Sequence, residues 1–346
     1  MNAWLAKQLD VWLGHLLSSL VYRPGECPAT DLEAMEAFQH ERFATRPELF
    51  FDCPSDPPSV VTEKVRATPA YICESFVFPS PYRPLSDAFA RRYTAYPETH
   101  TVHGRRYRPF SGISRATLLL LHGWTGGEFH WEERTLLPWL CRDCAYTVVA
   151  LVHPYHGVRK PTASRFSGEF FISADAVRTV EACRQAVIDA RATLNWLLAE
   201  NSGNHGTVGV SGISLGALMT YLLLCADGRP AFALPMLGHG DLFDGPSDSA
   251  LTKNVRRGYQ TQGLDREALR PFVRPLTARA MHPKLSPERI LPINGLYDAI
   301  ITADKARQLF DAWNIPQVVW LKAGHFGIVH TRQFRRAFRD FVERWT

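Results

Sequence analysis

The sequence predicts an α/β fold in which a doubly wound, mostly parallel sheet carries helices on both faces. From about residue 116 onward, short apolar runs typical of buried strands alternate with longer runs of helical periodicity. Apolar residues make up 46% of the 346-residue chain, enough to bury the large core that such a sheet needs. Two additions to this sheet are expected: an N-terminal helical extension over residues 1–69, and a cap-like insertion at about 239–289 within the domain of residues 70–346.

The N-terminal extension begins with a predicted amphipathic helix over residues 1–22. Polar positions interrupt it too often for a membrane span or the core of a signal peptide. The helix therefore either docks on a membrane surface or a partner, or packs on its own domain. After a polar stretch with prolines, strands near residues 71–78 and 100–108 are expected to pair antiparallel at the start of the sheet. The apolar positions of the helix are Trp4, Leu5, Leu9, Trp12, Leu16 and Leu20, and the interrupting ones are Lys7, Asp10 and His15.

The first central strand, residues 116–121, runs directly into the loop His122-Gly123-Trp124-Thr125-Gly126-Gly127. Backbone N–H groups in such a loop can stabilise the negative oxygen of a tetrahedral intermediate. We expect these oxyanion donors near Gly123 and Trp124. The imidazole of His122 is expected to hold the loop by hydrogen bonds and to take no part in the chemistry.

The next strand, residues 147–152, leads into a proline-rich segment that is expected to reach the mouth of the site. Tyr155, Arg159 and Lys160 are candidate substrate-binding residues there. Arg forms a bidentate fork with an anionic group, and Lys supplies a point charge. The alternative is that the two cations fix the loop by pairing with acids such as Glu169, and the sequence leaves both interpretations open.

The most informative motif is Gly212-Ile213-Ser214-Leu215-Gly216, which lies between a short apolar strand and the helix of residues 215–225. In this strand–turn–helix setting the motif predicts a nucleophile elbow. Such a tight turn strains the backbone of the serine and requires small residues two positions before and after it. The turn would expose the Ser214 hydroxyl above the sheet, and the backbone N–H of Leu215 would be a second oxyanion donor.

Two late strands supply the expected partners of Ser214. Asp298 follows the strand of residues 290–297, and functional groups gather at the carboxyl ends of parallel strands. His325 lies on a glycine-flanked loop after the last strand, from which it can take the proton of Ser214. The alternatives are Asp241 and Asp244 for the acid, and His330 for the base.

Together, Ser214, Asp298 and His325 form the hypothesis of a serine-hydrolase triad, and a carboxylesterase is the favoured activity. His325, oriented by Asp298, would deprotonate Ser214, which would attack an ester carbonyl and form an acyl-enzyme that water then hydrolyses. An acyltransferase or a thioesterase would use the same acyl-enzyme. A non-catalytic binding protein that retains the scaffold is a third alternative.

These motifs resemble those of the α/β-hydrolase superfamily over roughly residues 70–346. A narrower resemblance is to the family of abhydrolase domain-containing protein 18. It implies an α/β-hydrolase fold and a serine-hydrolase scaffold, with lipid esters among the substrates it suggests. The segments that carry the narrower resemblance are residues 122–127 with 129–136, residues 153–161 and residues 211–216.

Composition indicates which cellular compartment and which ligands are expected. Seven scattered cysteines, an odd number, without a signal-peptide pattern predict reduced thiols in a cytoplasmic protein. The formal charge of +5 is spread along the chain and no Gly-rich phosphate loop is present, so neither nucleic acid nor a nucleotide is expected as a ligand. The predicted chemistry requires no metal and no other cofactor, and the expected ligand is a small-molecule or lipid ester.

Overall fold

The computed structural model of the protein describes residues 3–21, 30–201, 206–243 and 249–346, and the structural statements below concern these residues. The strands are β1 Val61–Ala67, β2 Tyr71–Pro79, β3 Thr101–Pro109, β4 Ala116–Leu121, β5 Tyr146–Leu151, β6 Thr207–Ile213, β7 Ala233–Met236, β8 Ile293–Gly295 and β9 Val319–Leu321. The helices are α1 Ala3–Val21, α2 Leu32–Glu36, α3 Arg42–Thr45, α4 Pro47–Phe50, α5 Asp87–Tyr93, α6 His130–Thr135, α7 Ala176–Asn201, α8 Leu215–Ala226, α9 Lys253–Thr261, α10 Arg266–Val273, α11 Ala303–Ala312 and α12 Arg332–Val342.

The strands form a nine-stranded sheet in the order β1-β2-β3-β5-β4-β6-β7-β8-β9. In this order, the first three pairs, β1–β2, β2–β3 and β3–β5, are antiparallel. The remaining five pairs, from β5–β4 to β8–β9, are parallel. The predicted fold, a mostly parallel sheet that begins with antiparallel strands, is therefore confirmed. Its parallel part directs the carboxyl ends of β4, β6, β8 and β9 to one edge, which is the edge where the candidate residues were expected.

The central strands are apolar on both faces because helices cover both faces of the sheet. In β4, Leu119 and Leu121 enter a core that also contains residues of α7 and α8, whereas Leu118 and Leu120 enter a second core that contains residues of α12. All six residues of β4 are buried. A continuous apolar run, such as that of β4, was therefore a reliable signal for a central strand.

β1 is a strand that the sequence analysis did not predict. All of its residues are exposed and it pairs only along one side, with β2, so the run contains no apolar face that would mark a strand. It begins before residue 70, which means that the sheet reaches into the predicted N-terminal extension. Phe38 and Phe50 of the same extension are fully buried in the core that contains α7.

The predicted N-terminal helix is present as α1, but it packs by the face opposite to most of its described large apolar residues. Ala6, Asp10 and Gly14, spaced four residues apart, are on the side that faces the protein, and Gly14 lies against Ala250 and Leu251 of the predicted insertion. Within the described ranges no helix has the length and apolar character needed to cross a bilayer. The exposed apolar residues on the outer side of α1 are Trp4, Leu5, Leu9, Trp12 and Leu16.

We expect the buried face of α12 to contribute strongly to stability. The ring of Phe338 is buried 5.7 Å from that of Trp139, so Phe338→Ala leaves a cavity and should lower the free energy of unfolding by about 3–5 kcal/mol. Arg336→Ala, on the exposed face of the same helix, should change it by less than about 0.5 kcal/mol. Urea unfolding followed by circular dichroism measures both. Equal effects of the two substitutions would contradict this assignment of the faces.

Candidate active site

Ser214 occupies a strained turn between β6 and α8, with φ 55° and ψ −111°. The turn requires glycine on both sides. A Cβ at Gly212 would overlap the carbonyl oxygen of Gly216, and a Cβ at Gly216 would overlap that of Leu121. A non-glycine residue rarely adopts a positive φ, and residues that do so cluster at functional sites. The predicted strand–turn–helix geometry is therefore present around Ser214.

The structure brings Ser214, His325 and Asp298 into one hydrogen-bonded chain. His325 Nε2 lies 3.0 Å from Ser214 Oγ, and His325 Nδ1 lies 2.7 Å from Asp298 Oδ2. The second oxygen of Asp298 accepts the backbone N–H groups of Ile300 and Ile301, at 2.8 and 2.7 Å. Because the Asp298 carboxylate is an acceptor, the ring donates from Nδ1 and its Nε2 lone pair faces the serine hydroxyl.

The surroundings of His325 act on its pKa in opposite directions. Burial lowers the pKa, but the charge of Asp298 and the hydrogen bond to it raise the pKa, with a further contribution from the charge of Asp10. The net effect is a pKa above the ordinary value for histidine. An imidazole with this property retains a proton more readily than a free imidazole does.

Asp10 is a residue that the sequence analysis did not assign to the site. Its side chain is buried, and Oδ2 accepts the backbone N–H of His325 at 2.8 Å and that of Ala299 at 3.1 Å. A signal was available in the sequence, because Asp10 shares one face of α1 with the small residues Ala6 and Gly14. That pattern, a charge between small residues at four-residue spacing, is unusual for a solvated face.

The loop after β4 lies beside the serine, as predicted. Gly123 and Trp124 line the same cleft as Ser214, and a Cβ built at Gly123 would lie 3.6 Å from the Cβ of Ser214. Leu215 begins α8, and N–H groups in the first turn of a helix lack partners within that helix. Gly123, Trp124 and the start of α8 therefore lie beside the Ser214 hydroxyl.

His122 holds this loop through its imidazole, which confirms the structural role predicted for it. Nδ1 donates to the carbonyl of Gly123 at 2.7 Å, and Nε2 accepts the backbone N–H of His153 at 3.1 Å. Burial lowers the pKa of His122 to about 4, so the ring is neutral near pH 7. A neutral ring can accept at one nitrogen and donate at the other, and the loop requires both.

A cleft of about 450 Å³ opens in front of Ser214 and His325. Its walls come from distant parts of the chain, including α1 and the insertion predicted to act as a cap. Neither Arg nor Lys is among the described residues that line it. The apolar and aromatic side chains in its walls include Leu17, Phe129, Trp131, Leu237, Leu251 and Phe326.

The structure does not bring Arg159 to this cleft, which corrects its interpretation as a substrate-binding residue. The side chain is fully buried, and Nη2 donates to Asp189 Oδ2 at 2.8 Å and to the carbonyl of Thr99 at 2.7 Å. Nη1 donates to the carbonyl of Val152 at 2.9 Å. A buried guanidinium whose two terminal nitrogens bind an internal acid and two carbonyls cannot reach an external anion. Arg159 therefore pairs with an acid inside the protein, as the alternative interpretation expects, but that acid is Asp189 on α7 and not Glu169.

Tyr155 and Lys160 are also engaged elsewhere. The Tyr155 ring is buried, with its centroid 5.5 Å from that of Tyr96. Lys160 Nζ donates to the carbonyl of Ser164 at 2.5 Å within its own loop. Neither residue lines the cleft in front of Ser214. The proline-rich segment therefore supports the loops behind the site.

Asp241, the alternative acid that the structure describes, is placed differently from Asp298. Asp241 accepts the backbone N–H of Phe243 at 2.9 Å, and the Nδ1 atom of His325 is engaged by Asp298 instead. Asp244 lies outside the described residues, as does the side chain of His330. In the described ranges no cluster of three or more His, Cys, Asp or Glu side chains is arranged to hold a metal ion.

Comparison with known proteins identifies the family. The family model described as "Alpha/beta hydrolase domain containing 18" matches residues 32–242. The chain belongs to this family. The matched segment contains Ser214 and the loop at Gly123, whereas Asp298, His325 and Asp10 lie outside it.

An uncharacterized protein of Mycobacterium tuberculosis is 25% identical over 320 residues, which cover 89% of this chain and 73% of the relative. In structure, the chain is similar to an acetyl xylan esterase from a Paenibacillus species, with a TM-score of 0.62 and 16% identity over 95% of this chain and 98% of that one. Acetyl xylan esterase 1 from a Thermoanaerobacterium species gives a TM-score of 0.61 and 13% identity over 92% and 100% of the two chains. At these identities the likeness shows the shared α/β-hydrolase fold.

The buried ion pair of Arg159 gives a test of its corrected role. Arg159→Leu would leave Asp189 charged and unpaired in the core, so the free energy of unfolding should fall by about 3–5 kcal/mol. Arg165→Leu removes a cation from the more exposed pair with Glu169 and should cost about 1 kcal/mol or less. Chemical unfolding of both variants measures the difference. Similar small losses would show that Arg159 is not held as described.

Proposed function

We propose that the protein is a serine-dependent hydrolase of carboxylic esters, with Ser214 as the nucleophile and His325 as the base. Asp298 orients the base and raises its pKa. The observation that carries the proposal is the hydrogen-bonded chain from Ser214 Oγ through His325 to Asp298, built on a strained elbow. Nucleophile, base and orienting acid within hydrogen-bond reach are what activation of a serine hydroxyl requires.

In the first half of the proposed reaction, His325 Nε2 takes the proton of Ser214 as Oγ attacks the ester carbonyl carbon. The tetrahedral oxyanion accepts hydrogen bonds from the backbone N–H of Leu215 and from the loop at Gly123 and Trp124. When the intermediate collapses, the carbon–oxygen bond to the alcohol breaks and His325 returns the proton to the leaving oxygen. The acyl group is then esterified to Ser214.

In the second half, a water molecule replaces the alcohol. His325 takes a proton from the water as its oxygen attacks the acyl carbon, and the same N–H groups hold the second oxyanion. Collapse breaks the bond to Ser214 Oγ, which regains its proton from His325. The carboxylic acid leaves, and the enzyme returns to its initial state.

The cleft favours an ester that has an apolar part and carries no negative charge, because Glu128 and Glu132 also line it. Leu17, Leu251 and Phe326 present apolar surface close to the serine, and the described lining contains no Arg or Lys to pair with an anionic group. Acetyl xylan esterases, to which the fold is similar, are named for the hydrolysis of an ester, in line with this chemistry. We therefore expect a higher kcat/KM on neutral acyl esters than on anionic ones.

Labelling with a fluorophosphonate probe tests the nucleophile directly. Wild-type protein should take up one equivalent at Ser214, mapped by mass spectrometry, whereas Ser214→Ala should take up none. Ester turnover in that variant should fall by on the order of 10³-fold or more, while thermal unfolding stays near that of the wild type. Ser111→Ala, an exposed serine on a turn, is the matched control and should label fully. A folded wild-type protein that does not react with the probe would refute the proposal.

The raised pKa of His325 predicts a pH dependence. The base must be neutral to accept a proton, so kcat/KM for an ester should fall as the pH decreases through the pKa of His325. The midpoint of this limb should lie above 6.5, the ordinary value for histidine. Asp298→Asn removes the main cause of the increase, so it should lower the midpoint as well as the rate, the latter by on the order of 10³–10⁴-fold. A midpoint below 6.5 in the wild type would contradict the assignment.

A further inference from the structure

The structure assigns to Asp10, on the N-terminal helix, the role of a positioning residue that holds the acid loop and the base loop of the site together. This inference rests on the proposed function, since it concerns how Ser214 is activated. Asp10 touches neither the serine nor the cleft, and it acts through His325 and the residue after Asp298. The N-terminal helix thus contributes Asp10 to the support of the site, in addition to the wall of the cleft that Leu17 forms.

The proposed acid and base lie on two separate loops. Asp298 and His325 follow different strands, β8 and β9, so local backbone geometry alone does not fix the distance between their side chains. A single oxygen, Asp10 Oδ2, accepts N–H groups from both loops, at 3.1 Å from Ala299 and 2.8 Å from His325. Ala299 directly follows Asp298. The carboxylate therefore ties the acid and the base together at the backbone, beside the 2.7 Å contact between their side chains.

The residues around Asp10 leave space for its carboxylate. A Cβ at Gly324 would lie 2.7 Å from Asp10 Oδ2, so glycine before the base leaves the space that the carboxylate occupies. The helix is held at a matching depth because Gly14 packs closely on Ala250 and Leu251. Small residues thus let α1 approach both the base loop and the insertion.

The charge of Asp10 also faces the base. The titratable groups that act on it from the elements packed against α1 are Asp298 and His325. Burial and the charge of Asp298 raise the pKa of Asp10, whereas the two backbone donors and the charge of His325 lower it, and the net effect is a raised pKa. Its negative charge favours the protonated form of His325, which is the form that arises when Ser214 attacks. Asp10 would therefore position the base and also stabilise the imidazolium.

The experiment measures how fast a fluorophosphonate inactivates Ser214 in the full chain, as a function of probe concentration and pH. Asp10→Ala removes both the acceptor and the charge. We expect its inactivation rate constant at saturating probe to fall by about 10–100-fold, with the concentration for half-saturation changed by less than about twofold. Asp10→Asn keeps an acceptor oxygen but removes the charge. It should lose less rate than Asp10→Ala and should shift the midpoint of the acidic limb to lower pH.

Lys7→Ala is the matched control, because it removes one charge from the exposed side of the same helix. It should keep both the rate and the midpoint of the wild type. Thermal unfolding checks that each variant is folded, and Asp10→Asn decides the matter if Asp10→Ala does not fold. A merely structural role would not move the pH midpoint.

The outcomes separate this inference from the proposed function. A reactive wild type together with a folded Asp10→Asn variant whose rate and midpoint are unchanged would overturn the role of Asp10 and leave the function standing. A loss confined to the half-saturating concentration would also overturn it, since positioning acts on the chemical step. A wild-type protein that does not react at Ser214 would overturn the proposed function itself.

Discussion

The close approach of α8 to the carboxyl ends of β4 and β6 is the constraint on which the candidate site depends. Gly212 and Gly216 allow the backbone to turn within van der Waals distance of itself and of Leu121, and Ser214 takes a strained conformation as a result. A side chain larger than hydrogen at either glycine would push the helix from the strand. The loop at Gly123 would then no longer lie close to the Ser214 hydroxyl and the first N–H groups of α8.

Around this turn, the protein uses buried polar groups as fixed supports. Behind the site, the Arg159–Asp189 pair ties the proline-rich segment to α7. Beneath the loop after β4, neutral His122 accepts and donates at once. Burying such groups is costly unless their partners are in place, so each support specifies one arrangement of the loops. The walls of the cleft, by contrast, are largely apolar and come from α1 and the insertion.

The site could be predicted in its order along the chain but not in its full composition. The elbow at Ser214, the acid after β8 and the base after β9 each follow a local pattern, and the structure places the three residues in contact. Arg159 was misinterpreted because a cation in a loop after a strand has the same sequence signature whether it faces the cleft or the core. β1 was missed because an exposed edge strand has no apolar face to mark it.

The sequence by itself determined the central strands, the direction in which their carboxyl ends point and the strained turn at Ser214, because apolar runs and paired glycines act over a few residues. Only the tertiary structure decided which face of α1 turns inward and what Asp10 contacts. Periodicity predicts that a helix has two faces, but the choice between them depends on surfaces supplied by residues far along the chain. Most large apolar residues of α1 face outward, because the surfaces next to the base loop and the insertion leave room for the small residues Ala6 and Gly14 and for the carboxylate of Asp10.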